Sequence, residues 1–174
     1  MTPKNRAAAL LAAAIAAQAA PAAADATADL TTYLQQFIGE WAGTGQSRTG
    51  VEAPYVDAAC NISIWWARGA LRTDGNCSGA RQTFSAGGAL AVANGTLSGT
   101  FLQPYFAEPA SSSVSIENGA LVVRSTYQPP EPEPPIDFRV TIQPPTAGAF
   151  EMRTEARAAG GAFVDVATIR LLAQ

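Results

Sequence analysis

The chain has 174 residues, 11 Lys+Arg against 14 Asp+Glu, no histidine and a net charge of −3. That length makes one domain able to bury a core of its own. The acidic balance and scattered arginines exclude a polyanion binder, and the missing histidine removes the commonest general base and metal ligand.

Lys4 and Arg6 give a positive start, Ala7 to Ala17 form a short apolar run, and small residues follow. Both Ala17-Gln18-Ala19 and Ala22-Ala23-Ala24 fit the small-x-small cleavage rule. This order predicts a signal peptide over 1–24, with Asp25 as the expected mature start and Ala20 as the other candidate. The apolar run is about half the ~20 residues that span a bilayer, so no stable membrane anchor is expected. No cysteine precedes Cys60 to carry a lipid. Residues 25–174 are therefore expected in the periplasm or outside the cell, with nine arginines, no lysine and a net charge of about −5.

Leu30, Tyr33, Leu34 and Phe37 recur at helical spacing behind Asp29, a possible cap, and predict a short helix lying as a lid or plug on a barrel end. With a two-residue turn at Arg68-Gly69, Cys60 falls opposite Cys77, Ile62 opposite Gly75, Ile64 opposite Thr73 and Trp66 opposite Leu71. The other face pairs Ser63 with Asp74 and Trp65 with Arg72, where the indole could stack under the guanidinium. Opposed cysteines in an exported chain predict one structural disulfide. Their spacing fits no metal or redox motif.

Two Asn-Gly pairs then mark hairpins. Asn94-Gly95 sets Val92 opposite Leu97 and Leu90 opposite Gly99, and Asn118-Gly119 sets Ile116 opposite Leu121 and Val114 opposite Val123. The same register sorts apolar from polar residues, and a one-residue slip would scramble it. Phe101, Tyr105 and Phe106 form an aromatic stretch near a predicted rim and are the candidate ligand contacts. The proline-rich segment from Gln128 to Pro135 reads as a stiff extended loop. Ile136, Phe138, Val140 and Ile142 alternate with polar residues, as do Phe150 and Met152. In the last strand Arg170 shares a parity with Val164, Val166 and Thr168, which places it inward. The competing assignment puts Phe163, Ala167, Ile169 and Leu171 inside, leaves Arg170 in solvent and buries Asp165; a bulge would satisfy both halves. The whole pattern predicts an all-β fold, a single antiparallel up-and-down barrel of eight to ten strands with one disulfide.

The string Phe37-Ile38-Gly39-Glu40-Trp41-Ala42-Gly43-Thr44-Gly45 resembles the opening strand of calycin barrels, the group of lipocalins, avidins, fatty-acid-binding proteins and nitrobindins. Its Gly-x-Trp-x-Gly-x-Gly pattern is most similar to that of nitrobindins. The resemblance implies a ligand-holding barrel in which a basic residue of the last strand, here Arg170, meets Trp41 and closes one end. Nitrobindins hold haem through a histidine, which this chain lacks, so the resemblance implies no haem and no cofactor is expected. The order Trp41, Cys60, Cys77 is also similar to small periplasmic inhibitors of secreted metalloproteases, although this domain is longer.

No catalytic constellation emerges: histidine is absent, lysine leaves with the leader, and both thiols pair. The sequence thus predicts an exported, non-enzymatic barrel that binds a small, mostly apolar ligand, with no metal site and no nucleic-acid partner. The alternative is a periplasmic protein-interaction or protease-inhibitor module.

Overall fold

The computed structural model describes residues 20–49, 52–79, 82–103, 112–128, 135–158 and 161–174. One helix, α1 (Ala20–Gln35), precedes β1 (Gly39–Ser47), β2 (Val56–Ala67), β3 (Ala70–Gly79), β4 (Gln82–Ser85) and β5 (Gly87–Ala93). Then follow β6 (Thr96–Gln103), β7 (Ser112–Glu117), β8 (Ala120–Tyr127), β9 (Ile136–Ile142), β10 (Ala149–Ala158) and β11 (Val164–Ala173). Ten antiparallel strands run in the order β6-β5-β3-β2-β1-β11-β10-β9-β8-β7, and β4 shares an edge of β3 with β5. The sheet curls into a nearly closed barrel. Its first and last strands pair, as closure demands. The remaining seam lies between β6 and β7, where the Ser112 hydroxyl donates to the Gly99 carbonyl at 2.6 Å.

Register follows from the turns. Arg68-Gly69, Asn94-Gly95 and Asn118-Gly119 all have positive φ, between 51° and 82°, the signature of type I′ turns whose twist matches the flanking strands. Cys60 accordingly faces Cys77 and forms the disulfide, with both residues 1% exposed inside the barrel. A fourth such turn sits at Ala147-Gly148, with φ of 52° and 75°.

All four tight turns lie at the end that α1 covers. The helix is fastened to two of them: Tyr33 donates its hydroxyl to the Gly119 carbonyl at 2.9 Å, and the Gly95 amide donates to Thr27 Oγ1 at 2.8 Å. Strands β6, β8 and β10 end at the opposite rim, and β7, β9 and β11 begin there, so the longer connections belong to that end.

The glycines of β1 have a steric origin. A Cβ on Gly43 would stand 2.1 Å from the Arg170 carbonyl oxygen, and one on Gly45 would stand 1.9 Å from that of Thr168. The β1 and β11 backbones approach too closely there for any side chain.

Farther along the pair, β11 bulges. Thr154 pairs with Ala167 while Glu155 pairs with Asp165, leaving Val166 without a partner on β10. The Asp165 carbonyl receives Arg48 Nε at 2.7 Å and the Tyr55 hydroxyl at 2.8 Å, with Arg48 lying over the Tyr55 ring. These contacts staple the bulge to the β1–β2 connection.

Two substitutions test this reading. Gly45→Ala should cost about 3 kcal/mol in urea unfolding, because the clash is with backbone that cannot step aside. Ala147→Asn should instead raise stability by about 1 kcal/mol, since asparagine tolerates the left-handed turn position that strains alanine.

Candidate functional site

The barrel interior divides into two unlike halves. Beneath α1, Leu34, Phe37, Phe101, Leu121, Ile142 and Leu171 are all 0% exposed. The Phe37 ring stands edge-on to Tyr33, Phe101 and Phe150, with centroids 5.6–6.2 Å apart. Trp41 packs on Phe150 at 4.7 Å and donates its indole N–H to the Phe37 carbonyl at 2.8 Å. This half is a solid aromatic plug.

Toward the other rim the inward positions turn small: Gly45, Ser47, Ala58, Ala156 and Ala167. Beyond them Val56, Ile136, Phe138 and Val164 are only half-buried and ring the mouth. A concavity of about 480 Å³ lies at this end of β7–β10. Its lining is mostly outer-face residues, Ser113, Arg124, Thr126, Asp137, Arg157 and Phe163, joined at the rim by inward-facing Ser112, Ser125 and Phe138. That volume lies in the range of small-molecule sites.

Charge is sorted as sharply as size. Among the described residues, register places every charged side chain of the eleven strands on the outer face. There Glu117 pairs with Arg124, Glu155 with Arg139, Asp165 with Arg153 and Asp137 with Arg157. Phe163 is sandwiched between the guanidinium groups of Arg139, at 4.4 Å, and Arg157, at 4.6 Å. Hydrogen bonds from Arg124 and then Ser115 draw the Glu117 carboxyl down to about 2, and hydrogen bonds from Thr126 and Arg157 also lower Asp137. With each of these arginines matched to an acid, the belt is an ion-pair network and not an anion-binding surface. No group of three His, Cys, Asp or Glu side chains among the described residues could hold a metal ion. No helix among them is long and apolar enough to cross a membrane, which leaves strand-borne crossing unaddressed.

Several expected site residues stand elsewhere than their parity implied. Arg170 does not reach Trp41: it pairs with Thr44, whereas Trp41 pairs with Ala173, and its side chain is exposed on the outer wall. The bulge at Val166 is the reason. It puts Val164 inside, turns Asp165 outward to Arg153, and leaves Ala167, Ile169 and Leu171 inside, so Arg170 falls on the wet face. Arg170 borders an outer groove of about 410 Å³ together with Ala42, Thr44, Ala59, Asn61 and Leu172. The partners of Trp41 are instead the Phe37 carbonyl and the Phe150 ring.

Phe101 is not at a rim. A second bulge sets Phe101 and Leu102 together against Gly88, with Leu102 held at φ 45°, and both side chains enter the plug. Tyr105 and Phe106 lie outside the described residues, as does most of the proline-rich segment. Trp65 faces Arg72 on the outer wall as the register requires, but the cation–π contacts of the described residues occur at Tyr55 and Phe163. Thr154, by contrast, was not picked out by its sequence. It is a polar residue on the apolar parity of Phe150 and Met152, and that misfit was its signal.

No protein-family model matches the chain, and no curated protein does. Two solved structures share its architecture. Rv2717c from M. tuberculosis aligns over 81% of this chain and 94% of its own, with a TM-score of 0.51 and 14% identity. The S-type phycobiliprotein lyase CPES from Guillardia theta aligns over 83% and 92%, with a TM-score of 0.55 and 13% identity. Identities this low speak to the fold alone, and the fold class read from the sequence, an all-β antiparallel up-and-down barrel, holds. The expectation of a non-enzyme is corrected by the second structure. A barrel of this shape is a lyase by name there, so the fold does not set this chain apart from enzymes.

The outer belt yields a pH prediction. A carboxyl lowered in the folded state stabilises above its unfolded pKa, about 4.3 for glutamate, and that contribution fades as pH falls through about 2. An NMR titration should find the Glu117 midpoint near 2, and Arg124→Gln should return it to the ordinary carboxylate range.

Proposed function

We propose that the chain is exported, cleaved near Asp25 and folded into a barrel that holds a small, mostly apolar ligand at the mouth opposite α1. The observation that carries this reading is the gradient inside the barrel. Side chains under the helix are wholly buried, whereas Val56, Ile136, Phe138 and Val164 at the far rim leave apolar surface half-exposed beside a concavity of about 480 Å³. Exposed, concave apolar surface is where small molecules gain most from leaving water. Tyr105 and Phe106 remain the candidate ligand contacts read from the sequence, and Phe101 contributes to the plug.

The order of charge, apolar run and small residues supports export to the periplasm or beyond, and the buried disulfide suits an oxidising compartment. Cleavage before Asp25 falls inside α1, leaving the turns that hold Leu34 and Tyr33 intact.

An exported interaction or protease-inhibitor module is favoured by a different observation. Trp65 and Leu172 are 40% and 48% exposed on the outer wall.

Native mass spectrometry of protein taken from its own host decides between them. The expected result is a chain beginning at Asp25 or Ala20, oxidised at Cys60 and Cys77, with a small adduct lost on denaturation. A bare mature chain travelling with a second protein would favour the interaction module, and a chain retaining Met1 would remove export.

A further inference from the structure

Thr154 is 1% exposed, and its Oγ1 has no hydrogen-bond partner among the described residues. A buried hydroxyl without a partner is destabilising, and one of valine's shape without the oxygen would fit the same place. Thr154 lies on the inward row Val123–Val140–Thr154–Ala167–Ser47, in the small-residue half of the barrel. One inward row nearer the mouth stand Ser125, Phe138 and Ala156, of which Ser125 and Phe138 line the rim concavity. Successive inward residues of a strand are about 7 Å apart, so the hydroxyl is within reach of a molecule entering at the rim. Phe138 stands on that nearer level, half-buried at the rim, so a ligand reaching Thr154 would pass its ring.

We infer that Thr154 is the polar anchor of the ligand site: its hydroxyl pairs with an uncharged hydrogen-bonding group, an alcohol or carbonyl, at the leading end of an otherwise apolar ligand. This rests on the reading of the mouth as a ligand site and adds the ligand's chemistry. Neutrality follows from the sorting of charge. The inward positions around Thr154 are Val123, Val140, Ala156 and Ala167, and all the arginines of the strands face out, where a buried carboxylate could not reach them. A charge carried in without a partner is far more costly than a hydroxyl.

Calorimetry with 1-octanol and octanoate at pH 8 tests the inference on the mature, oxidised protein. Octanol is expected to bind the wild type at least tenfold more tightly than octanoate. Thr154→Val should weaken octanol binding about tenfold while leaving the unfolding midpoint unchanged or raised, and Thr154→Ser should keep the wild-type affinity. A structural hydroxyl would move stability without moving affinity. Equal octanol binding by wild type and Thr154→Val, equal binding of octanol and octanoate, or a Thr154→Val chain that fails to fold would each overturn the inference and leave the mouth as a ligand site. Failure of the wild type to bind octanol also overturns it. The broader reading falls only if protein purified natively carries no small molecule as well.

Discussion

The close approach of β1 to β11 is the constraint on which the rest of the barrel depends. Where Gly43 and Gly45 pass Leu171 and Ile169, the neighbouring backbone occupies the space a Cβ would need. Two consecutive inward positions of the first strand are therefore empty of side chain, while the third, Trp41, is large. This one strand thus sets the contrast between a packed end and a roomy one. The indole is held by the Phe37 carbonyl and locks the exit of α1 onto the strand. Helix, plug and closure are one mechanical unit.

Size and charge then divide the remaining work. The wall beneath the helix is made of leucine, isoleucine and aromatic residues, and the wall near the mouth of glycine, alanine, serine and threonine. Four arginines are neutralised on the outer face, mostly through forked contacts, one of them with the buried carboxylate of Glu155, and the inward positions of the described strands carry no charge. Hydrogen bonds from Arg124 and Ser115 favour the charged carboxylate of Glu117.

Hairpin register was legible in the sequence wherever a two-residue turn fixed it. Arg68-Gly69 placed Cys60 on Cys77, and the two Asn-Gly turns placed Val92 on Leu97 and Val114 on Val123, because type I′ geometry leaves no freedom of register. First-to-last strand pairing was legible for the same kind of reason, since a meander has one way to close. Strict alternation failed at bulges, which insert a residue without a compositional mark. Val166 turned Arg170 outward, and the doubled Phe101-Leu102 drew a supposed rim aromatic into the core. Function was less legible than fold. The rim concavity draws Ser112, Arg124, Asp137, Phe138 and Arg157 from four strands, and such an assembly has no local sequence pattern. A lyase with this fold shows as well that the barrel shape does not exclude catalysis.

Pairing the first strand with the last also governs when the molecule can fold. Gly43 meets Leu171, and Phe37 meets Phe150, contacts separated by well over half the chain. The loop-closure cost of such contacts comes before their reward, which makes this a slow topology to assemble. During synthesis the strands before β10 can form hairpins, yet the plug has no Phe150 to seal it and β1 keeps one edge unpaired. A nascent chain therefore stays incomplete until its last strand has emerged.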